Sequence, residues 1–336
     1  MTSRLADRYD VIGFDLDGVL YRGPAAVPGA AETLAVLRRS GIRTGFVTNN
    51  AQRSPAAVAE HLNRIGIAAA VDDVVTSAQA TARLMAAELP AGAEVLVLGT
   101  AALAAEVRAV GLAPVAVRSP ATAAVVVGFN QEQRWEDFNQ GCYAVQGGAR
   151  WYACNGDQTR PTDQGIAIGM GGLIAAMSRA LPGCRPTMAG KPCRPLLDET
   201  ARRLGAERLL FVGDRIDTDI EGAGRAGFDS LFVFSGSHGV LDLAAAGPRA
   251  RPTWVGWDVR ALLEAPRAAA ADGSVSRCGA AVARARDGVV SLDAAPAALA
   301  EQLDGLRAVL SLLWAAADRG EPLDWAKTRG QLDLVP

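Results

Sequence analysis

The sequence predicts an α/β protein built on parallel sheets, and three observations point to it. Over residues 11–90, short apolar runs bounded by turn residues alternate with amphipathic helical stretches, as in βαβ units. The alternation restarts near residue 91 and continues to about residue 181. Several apolar runs end in polar residues, and such sheets bind ligands beyond the carboxyl ends of their strands.

The first strand, Val11-Ile12-Gly13-Phe14, leads into Asp15-Leu16-Asp17-Gly18. Pro28-Gly29 breaks the chain, and Ala30–Arg39 reads as a helix with Leu34 and Leu37 inward, ended by Gly41. Residues 42–47 form a second strand, closing in Thr48-Asn49-Asn50. Ser54 is an N-cap with Pro55 at the first helical position, and Val58, Leu62 and Ile65 share one face of that helix. Val74–Thr76 is a strand, and Ser77 is the expected cap of a helix reaching Leu89. Strands follow at 94–99, 124–128 and 150–154, with helices at 101–110 and Trp135–Gln146. After the polar loop 155–162, the glycine-rich run 165–172 lacks G-x-G-x-x-G and does not directly follow a strand. It reads as the turn into a helix over 173–181.

Pro182-Gly183 and Pro186 mark a boundary before Gly190-Lys191-Pro192 and a helix over Arg194–Leu204. The strand 209–212 ends in Gly213-Asp214-Arg215-Ile216-Asp217-Thr218-Asp219, with a helix stopping near Gly227. A further strand spans 231–234, and 259–263 closes this region. Residues 266–273 are alanine-rich and read as a linker; 275–292 read as one or two strands broken at Asp287-Gly288. From Pro296 an amphipathic helix carries Leu299, Leu303, Leu306, Leu310 and Leu313. A tail of this size is marginal as an independent unit and should pack on the rest.

Composition narrows the function classes. A net charge of −2, with no block of like charges, gives no reason to expect a nucleic-acid partner. The five cysteines are odd in number and lack metal-ligand spacing, and no signal peptide or membrane span is evident, so a reduced cytoplasm is expected. Of 34 basic residues only Lys191 and Lys327 are lysine. Where the chain otherwise writes arginine, the lysine of Gly190-Lys191-Pro192 suggests a compact point charge for phosphate. The pattern is not a P-loop, because Arg185 and Pro192 stand where that motif needs glycine and a hydroxyl residue.

Strand alternation sends Asp15 and Asp17 to one side, and two carboxylates that close need a cation or a proton between them. Asp214 leaves its strand as Asp15 does. These four clusters, in this order, resemble the haloacid dehalogenase superfamily of phosphotransferases. Thr-Asn-Asn with an insert of roughly a hundred residues before the lysine is similar to the branch with a large α/β cap. That branch holds 4-nitrophenyl-, phosphoglycolate and pyridoxal phosphatases, and actinobacterial glycerol 3-phosphate phosphatases with an extra C-terminal segment.

The resemblance implies a Rossmann-like doubly wound core over 1–90 and 186–266, an α/β cap over 91–185, and a C-terminal appendage over 267–336. It implies Mg²⁺, held by Asp15, the Asp17 backbone carbonyl and Asp214, with Asp219 orienting those groups. Asp15 would be the nucleophile and Asp17 the acid and base; Thr48, Asn49, Asn50 and Lys191 would bind the phosphoryl group. Asn155, Asp157 and Arg160 of the cap would read the leaving group of a small phosphorylated metabolite such as glycerol 3-phosphate or phosphoglycolate. A charged Arg160 would favour substrates with a second anionic group. The tail is similar to a fragment of an N-acetyltransferase fold but lacks its pyrophosphate-binding turn, so a structural or homodimer-forming role is expected. A non-catalytic sensor of a phosphorylated metabolite and a phosphomutase stay open as alternatives.

Overall fold

The computed structural model describes residues 3–162 and 164–332. The chain divides into two compact units, residues 1–44 with 206–336 and residues 45–205, and the division falls within the strand Arg43–Thr48.

In the first unit, parallel strands run in the order Trp254–Gly256, Asp229–Val233, Leu209–Gly213, Val11–Phe14. The last two are buried along their whole lengths, as expected for strands covered on both faces. Phe14 pairs with Val212, and the Asp15 N–H donates to the Val212 carbonyl at 2.9 Å. Asp15 and Asp214 therefore leave adjacent strands at the same end. A helix over Ala30–Arg39 matches the sequence reading, with Leu34 and Leu37 buried. Beyond the strand Leu209–Gly213 the chain makes one π-helical turn, Ile216–Ile220, before the α-helix Glu221–Ala226. The wider turn returns Asp219 towards the strand end.

The tail belongs to this unit. Its antiparallel strands Ala270–Asp272, Val275–Cys278, Ala281–Arg286 and Val289–Leu292 form one sheet, followed by the helix Leu299–Asp318. The stretch expected to be a linker thus supplies an edge strand. Leu303, Leu306, Val309, Leu310 and Leu313 share one apolar core with Ile220, Phe232, Phe234 and Leu243.

In the second unit, Arg43–Thr48 pairs in parallel with Val74–Thr76, and Pro55–Arg64 is capped by Ser54 Oγ accepting the Ala57 N–H at 3.2 Å. The following helix, Ser77–Glu88, is capped by Thr76, not Ser77: Thr76 Oγ1 accepts the Gln79 N–H, and the Gln79 side chain accepts the Thr76 N–H. A five-stranded parallel sheet follows, in the order Thr187–Met188, Arg150–Ala153, Thr122–Val127, Glu94–Leu98, Ala113–Val115. The glycine-rich run also departs from expectation. Gly165–Ile168 is a strand, paired antiparallel with Thr159–Thr162, and the helix begins earlier, at Met170.

Candidate active site

In the first unit, carboxylate oxygens of Asp15, Asp214 and Asp219 lie within 4.8 Å of one another. Asp214 and Asp219 are 0% and 1% exposed, a placement that costs several kcal/mol unless such charges meet a cation or hydrogen-bond donors. Asp219 Oδ2 accepts the N–H groups of Asp214 at 3.2 Å and Arg215 at 3.1 Å. This ties the carboxylate to the backbone that carries Asp214. Gly213 is required here, because a Cβ at that position would collide with the Asp219 side chain. An all-carboxylate oxygen set at this spacing fits a hard divalent cation such as Mg²⁺.

Asp217 goes elsewhere. It pairs with Arg215 at 2.8 Å; partial desolvation pushes its carboxyl pKa up, but Arg215, His238 and a backbone N–H together hold it below the usual carboxylate range. Asp17, on the exposed side of the turn after Asp15, is followed by Gly18 at φ +90°, whose N–H donates to the Tyr21 carbonyl at 2.8 Å. That left-handed conformation is costly for any side chain.

In the second unit, Thr48, Asn49, Asn50, Asn155, Asp157 and Lys191 come together around Asn49. Its side-chain oxygen accepts the Lys191 N–H at 2.8 Å, while Nδ2 donates to the Lys191 carbonyl at 3.1 Å and to Asp157 Oδ1 at 3.2 Å. The Asn49 carbonyl accepts Ser77 Oγ–H at 2.6 Å and Asn155 Nδ2 at 2.8 Å. Thr48 Oγ1 accepts the Asn50 N–H at 3.0 Å. Both amide hydrogens of Asn49 are thus engaged, one by the Lys191 carbonyl and one by Asp157. Gly190 makes this approach possible, since a Cβ there would meet Asn49 Oδ1 at 2.8 Å. Lys191 itself is 2% exposed, so its charge is held inside the protein.

Arg160 lies on the Thr159–Thr162 strand with its guanidinium 4.6 Å from the centre of the Phe129 ring. Sequence reasoning missed Ser77, whose hydroxyl serves Asn49, and the loop after Asp229–Val233, where the Ser237 N–H donates to Asp214 Oδ2 at 2.7 Å. Neither carries a spacing that marks it before the fold is known.

Comparison with known proteins follows the same residues. Residues 12–113 match the haloacid dehalogenase-like hydrolase model, and 188–262 match a second HAD-hydrolase-like model. The chain is 44% identical over 258 residues to the D-glycerol 3-phosphate phosphatase of Mycobacterium tuberculosis, spanning 77% of this chain and 72% of that one. The crystal structure of glycerol phosphate phosphatase from that organism in complex with magnesium superposes with a TM-score of 0.85. It is 38% identical and covers 99% of this chain and 98% of its own. A thermostable NPPase double mutant from Geobacillus stearothermophilus superposes at 0.67 with 30% identity, over 75% of this chain and 96% of its own. The chain belongs to the haloacid dehalogenase-like hydrolases.

Proposed function

We propose that this chain hydrolyses a small organic phosphate monoester through an aspartyl-phosphate on Asp15, with magnesium as its cofactor. The observation that carries the reading is the convergence of Asp15, Asp214 and Asp219 at the ends of adjacent strands. Phosphate monoesters react so slowly in water that the site must lower the barrier by well over ~15 kcal/mol. A carboxylate oxygen of Asp15 attacks phosphorus, the ester P–O bond breaks, and the Asp17 carboxyl gives its proton to the departing alkoxide. Asp17, now ionised, takes a proton from water; that water attacks phosphorus, breaks the bond to Asp15 and releases inorganic phosphate.

Asp15, Asp214 and the Asp17 carbonyl would hold Mg²⁺, with Asp219 fixing their geometry; the bound ion neutralises charge on the phosphoryl oxygens. Lys191, placed by Asn49, adds positive charge to the same group, and Thr48 and Asn50 donate to it. In this reading residues 1–90 and 186–266 form the catalytic core, 91–185 the cap that selects the leaving group, and 267–336 a structural appendage. A reduced cytoplasmic setting agrees with the odd number and scattered spacing of the five cysteines. The reading also includes a homodimer, which sedimentation velocity would check.

Glycerol 3-phosphate is the first substrate to test, because the relatives from M. tuberculosis and Homo sapiens are glycerol phosphate phosphatases. The test is phosphate release across a panel of phosphorylated metabolites that includes glycerol 3-phosphate and phosphoglycolate. Turnover of glycerol 3-phosphate at least tenfold above the rest is the expected result, and equal rates across the panel would overturn the substrate assignment.

A further inference from the structure

We propose that residues 235–238 form a positioning strap that sets two groups the reaction depends on: the Asp214 carboxylate and the turn that carries Asp17. The strap follows the strand Asp229–Val233 and lies wholly within the first unit. Ser235 Oγ–H donates to the Gly18 carbonyl at 2.7 Å, one residue beyond Asp17. Arg22 Nη2 donates to the Gly236 carbonyl at 3.0 Å, tying the far end of the same turn to the strap. On the other side, the Ser237 N–H donates to Asp214 Oδ2 at 2.7 Å and the His238 N–H donates to the Asp214 carbonyl at 3.4 Å. His238 Nδ1 accepts the Ile216 N–H at 3.0 Å, so the loop after Asp214 is held at a second point.

Sterics point the same way. A Cβ at Gly236 would fall on the Asp214 carboxylate, and one at Gly18 would lie 2.5 Å from Asp214 Oδ2 and 2.9 Å from the Gly236 Cα. Two glycine backbones therefore pack directly against a carboxylate that is 0% exposed. A loop that merely closed the core would press side chains on side chains; this one places a backbone N–H on the carboxylate and a hydroxyl on the Asp17 turn. An N–H bond to an ionised oxygen is among the stronger hydrogen bonds, and it fixes which way the carboxylate plane faces. The strap makes Ser235 and Gly236 positioning residues for general acid–base chemistry and for the metal site, respectively.

The inference rests on the reading of Asp15, Asp214 and Asp219 as a Mg²⁺ site, and the test separates the two. Calorimetric Mg²⁺ titration, thermal melts without metal and kcat on 4-nitrophenyl phosphate would be measured for the wild type, Gly236→Ala, Ser235→Ala and Ser235→Thr. Gly236→Ala should lose at least tenfold in Mg²⁺ affinity, with kcat recovering in excess Mg²⁺. Ser235→Ala should lose about tenfold in kcat with Mg²⁺ affinity within twofold of wild type, and Ser235→Thr, which keeps the hydroxyl, should restore it. A folded Gly236→Ala that binds Mg²⁺ as the wild type does, or a Ser235→Ala with kcat within twofold, overturns the strap alone. If Gly236→Ala does not fold, the two Ser235 variants decide. A wild type that binds no Mg²⁺ overturns the metal reading itself, and the strap falls with it.

Discussion

Lys191 is 2% exposed in a chain whose one other lysine is Lys327. Its backbone is gripped on both sides by the Asn49 amide, so its location is set to within a hydrogen bond. Arginine at this position would bring a wider, planar head group into a buried space. Lys191→Arg should therefore lose at least tenfold in kcat/KM, or about 1.4 kcal/mol on the rate scale, measured on 4-nitrophenyl phosphate. A loss under about threefold would reduce Lys191 to a dispensable charge. The cysteines separate by burial in a way that labelling can read. Burial pushes Cys154 up to about 12 and Cys278 up to about 11, so both stay protonated near neutral pH, while Cys184 is exposed. Brief iodoacetamide treatment of the native protein should modify Cys184 before Cys154 or Cys278, as read by peptide mass spectrometry. Asp15, Asp214 and Lys191 were legible in the sequence because strand ends and residue scarcity mark them. The service Asn49 performs was not, because its partner lies 142 residues away.

At the scale of elements, helices with clear periodicity match the sequence to the residue: Ala30–Arg39, Trp135–Gln146 and Arg194–Leu204. The hairpin of Thr159–Thr162 and Gly165–Ile168 was not. Its second strand exposes Ile166 and Ile168, at 76% and 69%, so it lacks the polar and apolar alternation that signals a half-buried strand. Ser77 was misread for a related reason: two hydroxyl residues stand side by side at 76 and 77, and only the fold shows which one caps and which one serves Asn49. The hairpin carries Arg160, held over Phe129. If that guanidinium reads an anionic leaving group, Arg160→Leu should lower the phosphoglycolate rate about tenfold more than the glycerol 3-phosphate rate, some 1.4 kcal/mol of discrimination. Parallel assays on the two substrates check this, and equal changes would remove Arg160 from substrate selection.

For the molecule as a whole, the tail is part of the first unit's core. Asp304, 3% exposed, receives Arg307 Nη1 at 2.7 Å and pairs with Arg267, while Arg307 Nη2 donates to the Val255 carbonyl at 2.5 Å. The tail is thereby joined to the edge strand Trp254–Gly256 through buried charge as well as apolar packing. Asp304→Ala would leave Arg307 buried without its carboxylate and should cost about 3 kcal/mol, measured by denaturant unfolding. Truncation after residue 266 should yield an aggregating protein. The expectation that the tail packs on the rest was within reach of the sequence, since too few residues were present for a separate core. That it shares the core of the parallel sheet was not, because its leucines name no partner. No helix among the described residues is long and apolar enough to cross a membrane. Whether Asp15 carries a covalent phosphatase reaction is decided by phosphate release from 4-nitrophenyl phosphate by the wild type and by Asp15→Asn, each with and without Mg²⁺. The wild type should turn over only with Mg²⁺, and Asp15→Asn should lose more than a thousandfold with its melting temperature within a few degrees of wild type. Asp15→Asn activity within tenfold of wild type, or equal wild-type rates with and without Mg²⁺, would contradict that reaction.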